Sequence, residues 1–340
     1  MPSHIKAFLI LPFLFFVLII QSAAQNVLIK GRVIDSDTRD ALAFVSIQVE
    51  NGTDGCISDI DGMFKLQTSK PVARLYISYI GYEPLVYTLD KTEKDIVIRL
   101  KKTAYELPEI VIKPGNNPAN RIISQVIANR ALNDHERLPS FSYTSYEKTI
   151  LGPENDSIPP IDSLASDSSY IKAKAFFEKQ HLFITESVVK RSFKFPSENY
   201  NKVIASRVSG FSDPLFVFLI SQIQSTTFYK EIIKIVDKNY INPISSGTFK
   251  KYYFEISDTI IEPYPYDTTY IISYRPLLNT NFEGLKGTLY ISTNGFAIRN
   301  VIAAPAHEGA LFAIKIQQLY DFIDSTHWFP VQLNTDIIFK

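Results

Sequence analysis

The sequence has almost no cysteine and no net charge, and each of these shortages excludes a class of protein. Cys56 is the single cysteine in 340 residues, so no internal disulfide can form, and we interpret Cys56 as a small apolar side chain. Lysine plus arginine and aspartate plus glutamate both number 35. This balance gives no global field to attract nucleic acid or anionic lipid, and we expect no nucleic-acid partner.

Motifs for catalysis are also missing from the sequence. There is no G-x-S-x-G nucleophile pattern, and no glycine-rich phosphate-binding pattern of either common type. The histidines form neither H-x-x-E nor H-E-x-x-H; they are His4, His135, His181, His307 and His327. We therefore predict a non-enzymatic protein with no catalytic, cofactor-binding or metal-binding residues and no cofactor.

One short stretch resembles the start of a calcium loop. Asp59-x-Asp61-Gly62 has the first spacing of such a loop, but Met63 and Phe64 stand where further oxygen ligands would be needed. Aspartate side chains that accept hydrogen bonds from nearby backbone amides give the same pattern. The stretch predicts a turn with aspartate-to-backbone bonds.

The N-terminus has the pattern of a secretory signal peptide. Lys6 precedes an apolar run at residues 7–20, and the small residues Ser22-Ala23-Ala24 follow it. A membrane-spanning helix, the rival interpretation, needs roughly 20 apolar residues. We expect residues 1–24 to be removed after Ala24, and the protein to be exported to the periplasm or the outer membrane.

Short segments of alternating apolar residues, separated by Asp/Gly clusters, follow the signal peptide. Val33 and Ile34 begin the series, Phe44 to Val49 continue it, and Ile96 and Ile98 end it. Beta-branched and aromatic residues at period two, broken at this spacing, predict a small β-sandwich.

Four motifs in this region resemble the carboxypeptidase regulatory-like domain. They are Gly31–Asp35, Ala43–Ile47, Asp59–Phe64 and Ile77–Tyr82. The usual proline is missing near Ala43, which weakens one edge turn. The resemblance implies a transthyretin-like sandwich of about seven strands at residues 25–101, without peptidase chemistry.

Residues 102–118 are predicted to be a linker. Within it, Leu107–Ile112 resembles the segment that follows this domain in TonB-dependent transporters, which leaves open that the chain is the N-terminal part of a receptor-like transporter. The same piece could add to a partner's sheet or pair as a strand within this protein.

Residues 119–340 are predicted to form an α+β domain exposed to the periplasm. Asn117 is a good N-cap and Pro118 suits the first helical position, so a helix should begin there and end near Asn133. A second, short helix is predicted at Leu215–Ile223, apolar nearly all round. It would be buried in the domain's own core or docked on a membrane-embedded partner.

The rest of this region has the alternation of β-strands. Strands are predicted at residues 141–150, 182–189, 202–208, 232–236, 249–256, 269–274, 287–292, 296–302, 311–320 and 328–339. Thr293-Asn294-Gly295 predicts a two-residue hairpin loop. Alternation in 311–320 predicts an antiparallel meander with one buried and one wetted face. Residues 282–298 resemble the half-barrels of envelope lipoprotein carriers, which implies a sheet that could hold an acyl chain.

The order of these parts resembles a group of uncharacterised Gram-negative outer-membrane proteins. Their pattern is a regulatory-like domain, a periplasmic α+β region and a C-terminal β-barrel. This sequence stops at Ile337–Lys340 in mid-strand, without the barrel. We expect it to be a truncated form; the alternative is a soluble periplasmic version.

The predicted fold class is therefore mainly β with some α: a transthyretin-like sandwich followed by an α+β domain with a meander or half-barrel. The predicted function is a non-enzymatic envelope protein, the periplasm-exposed part of an outer-membrane-associated protein. Its expected partner is an outer-membrane barrel or other envelope protein, with lipid as a further candidate. A periplasmic module that binds lipid or a peptide strand is the alternative.

Overall fold

The computed structural model describes residues 27–50, 52, 54–69, 71–89, 96–102, 117–151, 183–210, 227–235, 238–263, 266–278, 280–307 and 312–339. The predicted signal peptide, nearly all of the predicted linker and the predicted helix Leu215–Ile223 lie outside these residues. The predicted fold class is confirmed, because the described chain is mainly β-strand.

Seven described strands build the N-terminal sandwich. They are β1 (Val27–Asp35), β2 (Ser46–Val49), β3 (Gly55–Ile57), β4 (Met63–Thr68), β5 (Arg74–Ser78), β6 (Leu85–Thr88) and β7 (Ile96–Leu100). The outer sheet has the order β4-β1-β7, with β1 and β7 parallel, and the inner sheet has the antiparallel order β3-β2-β5-β6. Their facing apolar side chains form the sandwich core, which includes Val33, Phe64 and Ile77.

Two glycines of the predicted motifs allow close approaches in this sandwich. A Cβ on Gly31 would lie 2.5 Å from the carbonyl oxygen of Ile96 and 2.7 Å from the ring of Phe64. Gly62 has a φ of +74°, and a Cβ there would lie 2.4 Å from the carbonyl oxygen of Val33. The strand and hairpin motifs therefore need glycine at these two positions.

The helix α1 (Pro118–Asn133) begins and ends as predicted. The Asn117 side chain accepts a hydrogen bond from the amide of Ala119, which satisfies a free donor of the first turn. Asn117 Nδ2 also donates to the backbone carbonyl of Phe254 at 2.7 Å, so the cap fixes the helix against the sheet. A 3₁₀ turn at His135–Arg137 follows the helix.

A three-stranded sheet comes next, formed by β8 (Ser140–Leu151), β9 (Phe183–Lys194) and β10 (Glu198–Gly210). Its order is β10-β9-β8, and both pairs are antiparallel. The strands predicted at 182–189 and 202–208 are both longer than expected. A small hairpin follows, formed by β11 (Ile232–Ile235) and β12 (Lys238–Ile241).

A six-stranded antiparallel meander ends the described chain. Its strands are β13 (Tyr252–Pro263), β14 (Tyr266–Pro276), β15 (Leu285–Ser292), β16 (Ile298–Pro305), β17 (Phe312–Ile323) and β18 (His327–Phe339). Two predicted strand starts were wrong. Phe249 belongs to a 3₁₀ turn at Thr248–Lys250, and Phe296 has a φ of +48° in the loop before β16.

The predicted two-residue hairpin loop between β15 and β16 was also wrong. Residues 293–297 separate the two strands, and the left-handed positions are Gly295 and Phe296. Contacts from outside the hairpin hold this longer loop. Asn133 donates to the carbonyl of Gly295, and the Trp328 indole donates to the carbonyl of Asn294.

The prediction of one buried and one wetted face was wrong at the centre of the meander. One face packs against α1, in a core that includes Ile123, Leu289 and Val301. The other face packs against the sandwich through a smaller cluster that includes Phe44 and Tyr290. Gln317 and Gln318, on opposite faces of β17, are therefore both buried.

Candidate functional site: the junction between sandwich and meander

The junction places the inner sheet of the sandwich against one face of the meander. Alternation along the strands separates the two cores, so that Ile271 points to the sandwich and Ile272 to α1. Its apolar members are buried; they are Ala43, Phe44, Ile60, Ile260, Ile271 and Tyr290. A parallel bridge between Asp54 and Ile261 also joins the two parts.

A carboxylate from the meander is the polar centre of the junction. The hydroxyls of Ser46 and Ser78 donate to Asp258 Oδ2 at 3.0 and 3.1 Å. Gln48 Nε2 lies 3.2 Å from both carboxylate oxygens, and the amide of Thr259 donates to Oδ1 at 2.8 Å. The carboxylate forms no ion pair with the described residues. Its acceptor capacity is thus used by hydrogen bonds that join sandwich to meander.

A bulge in β13 explains why Asp258 faces the sandwich. The register with β14 shifts between Ile256 and Asp258, so the residues after the shift exchange faces. Phe254 and Ile256, before the bulge, pack in the core under α1. Without the bulge, Asp258 would point into that apolar core.

The two serines come from the motifs that resemble the regulatory-like domain. Ser46 and Ser78 are cross-strand partners in β2 and β5. Their side chains lie on the face of this sheet that is turned away from the sandwich core and toward the meander. Sequence reasoning found both strands but assigned no role to either serine or to Asp258. No signal in the sequence distinguished Asp258 from Glu255 and Glu262, the other acids of the same strand.

A cleft of about 230 Å³ opens beside this network. Ser46, Ser78, Ser257 and Asp258 supply its polar lining. The other lining residues are mainly aromatic or aliphatic: Phe44, Tyr76, Tyr79, Ile80, Tyr82, Pro84, Ile271 and Tyr290. Burial raises the pKa of the Tyr79 and Tyr290 phenols, which moves their ionisation further above physiological pH. The cleft can offer hydrogen bonds and aromatic contact.

Asp35, which accepts a hydrogen bond from the cleft residue Tyr82, is held as an ion. Burial would raise the pKa of its carboxyl, but hydrogen bonds from the Tyr82 hydroxyl and from the amides of Asp37 and Thr38 lower it to about 2. Lys102 Nζ adds an ion pair at 3.4 Å. These contacts tie the end of β1 to the segments after β5 and β7.

The residues considered from the sequence as metal ligands or as a reactive thiol instead stabilise the fold of the sandwich. Asp59 Oδ1 accepts hydrogen bonds from the amides of Asp61 and Met63, which confirms the predicted turn. Cys56 is buried in the sandwich core, and burial raises the pKa of its thiol. Within the described ranges, no three His, Cys, Asp or Glu side chains are grouped so that they could hold a metal ion.

His135 is the one described histidine that is buried, while His307 and His327 are exposed. Its ring lies 4.9 Å from that of Phe329 in β18 and 5.6 Å from that of Phe141 in β8, measured between centroids. The rings of Phe141 and Phe329 are 5.1 Å apart. This aromatic cluster attaches the three-stranded sheet to the meander.

Beyond that attachment, the three-stranded sheet is largely uncovered by the described chain. Every residue of β10 whose side chain is described is exposed, including Tyr200, Val203, Ile204 and Val208. In the central strand β9, Glu186 accepts hydrogen bonds from Tyr146 of β8 and Arg207 of β10. The sheet thus presents polar and apolar side chains together.

Two family models match this chain, one over the sandwich and one over most of the remaining residues. A carboxypeptidase regulatory-like sandwich joined to a second, β-rich part defines the class of protein, and the model of the CarboxypepD_reg-like domain matches residues 29–112. The resemblance drawn from the four motifs is confirmed. The model of a family of unknown function, DUF5686, matches residues 122–340, and the chain belongs to that family. No curated protein matches the chain.

None of the helices in the described ranges combines the length and the apolar character that a membrane crossing requires. The segment Leu107–Ile112, on which the transporter alternative depends, lies outside the described residues.

Proposed function

We propose that this chain is a non-enzymatic protein of the cell envelope that binds another envelope protein, such as an outer-membrane barrel, through the sheet β8–β10. The observation that carries the proposal is the exposure of β10 along its whole described length. Natural sheets usually shorten, charge or cover their edges, because unpaired backbone groups recruit other chains. A 13-residue edge strand without cover in the described chain is thus a surface suited to a partner.

Apolar side chains along this edge support a protein partner. Tyr200 is 66% exposed, Val203 59% and Val208 56%. Strand addition to an edge gives affinity through backbone hydrogen bonds, while alternate side chains give specificity. Among the described strands, both β8 and β10 pair only with β9, which leaves two edges for such addition.

The junction supports a structural rather than a reactive role for the rest of the chain. Asp258 is occupied by Ser46, Ser78 and Gln48, and burial raises the pKa of the Tyr79 and Tyr290 phenols further above neutral pH, so neither supplies a phenolate. In this proposal the sandwich and the meander form the structural support to which the binding sheet β8–β10 is attached. Export rests on the signal-peptide pattern of residues 1–24.

The alternative of an acyl chain held in a concave sheet has weaker support. Its sheet would be the meander, and both faces of the meander are packed at the centre. Binding of a peptide strand is compatible with the exposed edge, and differs from the main proposal only in the size of the partner.

Fractionation combined with site-specific photocrosslinking tests the proposal. A photoreactive residue at Val208 should give a discrete crosslinked protein in the envelope fraction. The matched control is Leu132, which is 79% exposed on α1, away from the sheet edge; it should give none. Recovery of the chain in the cytosol, or equal crosslinking from both positions, would contradict the proposal.

A further inference from the structure

The outer sheet of the sandwich carries a cluster of basic side chains on its solvent face. Lys30 and Arg32 lie on β1, Lys65 on β4 and Arg99 on β7, and all four are exposed. Residues that alternate with them, such as Val33 and Phe64, point into the sandwich core. The described parts of these three strands place no carboxylate on this face. We name these four residues the basic face.

The register brings the basic side chains close together. Lys30 and Lys65 are direct cross-strand partners, and Arg32 is two residues along the same strand from Lys30. Arg99 pairs with Ile34, the next outward position of β1. Like charges directly opposite one another destabilise a sheet, so this arrangement is unfavourable for the isolated chain.

The positive charge of the basic face is not neutralised by the described residues. None of its members forms an ion pair with a residue of the described ranges, although three basic residues elsewhere in the sandwich do: Arg74 with Glu50, Lys101 with Glu83 and Lys102 with Asp35. Arg32 Nε donates to the backbone carbonyl of Asp61 at 3.1 Å, which orients the guanidinium without cancelling its charge. The neutral composition of the whole chain therefore conceals a local excess of positive charge.

Exposed apolar side chains lie between these cations. Leu28 is 52% exposed and Met63 46% exposed, and Met63 is the direct cross-strand partner of Arg32. The described residues of the face include no aromatic ring on which a nucleic-acid base could stack. Cations that meet phosphates, together with aliphatic side chains that enter the boundary between headgroups and acyl chains, are typical of an interfacial lipid contact.

The basic face also has free access in the folded chain. The inner sheet of the sandwich packs on the meander through Phe44 and Tyr290, whereas the outer sheet lies on the far side of the sandwich core. Docking of the basic face would therefore leave the junction free. Gln332 of β18 approaches the border of the face, where its amide donates to Asp61 Oδ2 at 3.4 Å.

We propose that the basic face docks on the phosphate-bearing headgroups of an anionic lipid membrane. Lys30, Arg32, Lys65 and Arg99 would contact the phosphates, and Leu28 and Met63 would enter the interface beneath them. This is a second contact, separate from the protein partner proposed above. It would fix how the sandwich sits on a membrane surface.

Vesicle co-sedimentation of the full chain tests the proposal. Vesicles of equal parts phosphatidylglycerol and phosphatidylcholine are compared with phosphatidylcholine alone, which measures any partition that does not depend on anionic lipid. Lys30→Gln/Lys65→Gln should weaken binding to the anionic vesicles about thirtyfold, given roughly 1 kcal/mol for each basic residue near such a surface. Added salt should weaken wild-type binding as well.

The matched control is Lys190→Gln/Lys202→Gln. These two exposed lysines are also direct cross-strand partners, in β9 and β10, and neither forms an ion pair with the described residues. The control makes the same charge change and should leave vesicle binding within about twofold of wild type, since it leaves the basic face intact. Equal loss in both double variants would overturn the proposal, because bulk charge would then explain binding.

Two further measurements separate the proposal from misfolding and from a general affinity for anions. The melting temperature of Lys30→Gln/Lys65→Gln should equal or exceed that of wild type, because a like-charge pair is removed. Leu28→Gln/Met63→Gln should weaken vesicle binding but not binding to a short DNA duplex. If the chain bound the duplex as tightly as the vesicles and this variant changed neither, the lipid assignment would be wrong. Vesicle binding needs no export, so its failure is distinct from a failure of the envelope proposal.

Discussion

The hydroxyl of Tyr290 donates a hydrogen bond of 2.5 Å to the backbone carbonyl of Phe44, across 246 positions of sequence. The two rings also meet edge to face, with centroids 5.6 Å apart. Phe44 has a φ of +63°, which is a strained conformation for a large side chain. The sandwich therefore meets the meander at a residue whose backbone is held in place by the meander.

Removal of that hydroxyl should weaken the junction. Tyr290→Phe leaves the buried carbonyl of Phe44 without this donor, and we expect the free energy of unfolding to fall by about 1–3 kcal/mol. Urea unfolding of the full chain measures the change. Tyr200→Phe, at a tyrosine that is 66% exposed, should change it by less than about 0.5 kcal/mol. Equal stability of Tyr290→Phe and wild type would show that the contact does not hold the junction.

Removal of the Asp258 carboxylate should weaken the attachment of the sandwich to the meander more than Tyr290→Phe does. Asp258→Ala leaves two serine hydroxyls and the Gln48 amide without their acceptor, and we expect a loss of about 2–3 kcal/mol. The unfolding curve should also divide into two transitions, because the sandwich and meander would no longer unfold together.

The control for this variant is Asp321→Ala. Asp321 is exposed near the end of β17, and its carboxylate accepts a hydrogen bond from the amide of the next residue. We expect little change in stability. A single transition with wild-type stability in Asp258→Ala would argue that apolar contacts alone join the two parts.

Local patterns predicted the strands and helix, because both depend on near neighbours. Asn117 and Pro118 mark the start of α1 through hydrogen bonds and φ values within one turn, and the structure begins the helix there. That signal needs no knowledge of how distant parts of the chain meet. The glycines Gly31 and Gly62 differ, because the contacts that require them come from Ile96 and Val33, which are distant in sequence; they were found through the resemblance to a known domain.

The junction could not be predicted in this way, because it depends on a bulge and on long-range packing. Alternation in β13 would place Asp258 on the same face as Phe254, and only the shift after Ile256 turns it toward Ser46 and Ser78. The basic face was hidden for a related reason. Whole-chain charge is zero, while the strand register collects Lys30 and Lys65 on one surface.

The ionised Asp35 should give the sandwich a dependence on acid. Its folded pKa of about 2 lies below the ordinary 3.8, so the unfolded chain binds the proton first as the pH falls. The stabilisation is therefore complete above about pH 4 and is lost as the pH falls toward 2. Asp35→Asn should lower the free energy of unfolding by about 2 kcal/mol at pH 7, and the difference from wild type should shrink across that window.

Urea titrations at a series of pH values measure this effect, and Asp37→Asn is the control. Asp37 lies two residues away, on the exposed turn after β1, and its carboxylate accepts a hydrogen bond from Ser36. A difference between Asp35→Asn and wild type that stayed constant from neutral pH to pH 2 would show that shape rather than charge explains the loss.

His135 should make the attachment of the three-stranded sheet sensitive to mild acid. Burial lowers the pKa of its imidazole, Asp134 and Glu136 act in the opposite direction, and Lys230 lowers it further. Nδ1 is buried without a hydrogen-bond partner. Because the folded pKa lies below the unfolded value, stability is complete above about pH 7 and falls as the pH drops through the unfolded pKa near 6.5.

We expect His135→Phe to keep the ring contacts with Phe141 and Phe329 while removing this titration. Between about pH 7.5 and pH 5.5 the melting temperature of wild type should therefore fall more than that of the variant. His327→Gln, at an exposed histidine, should retain the wild-type slope. If His135→Phe and wild type lost stability in parallel over this range, protonation of His135 would not be what loosens the sheet from the meander, and the acid sensitivity would belong to other groups.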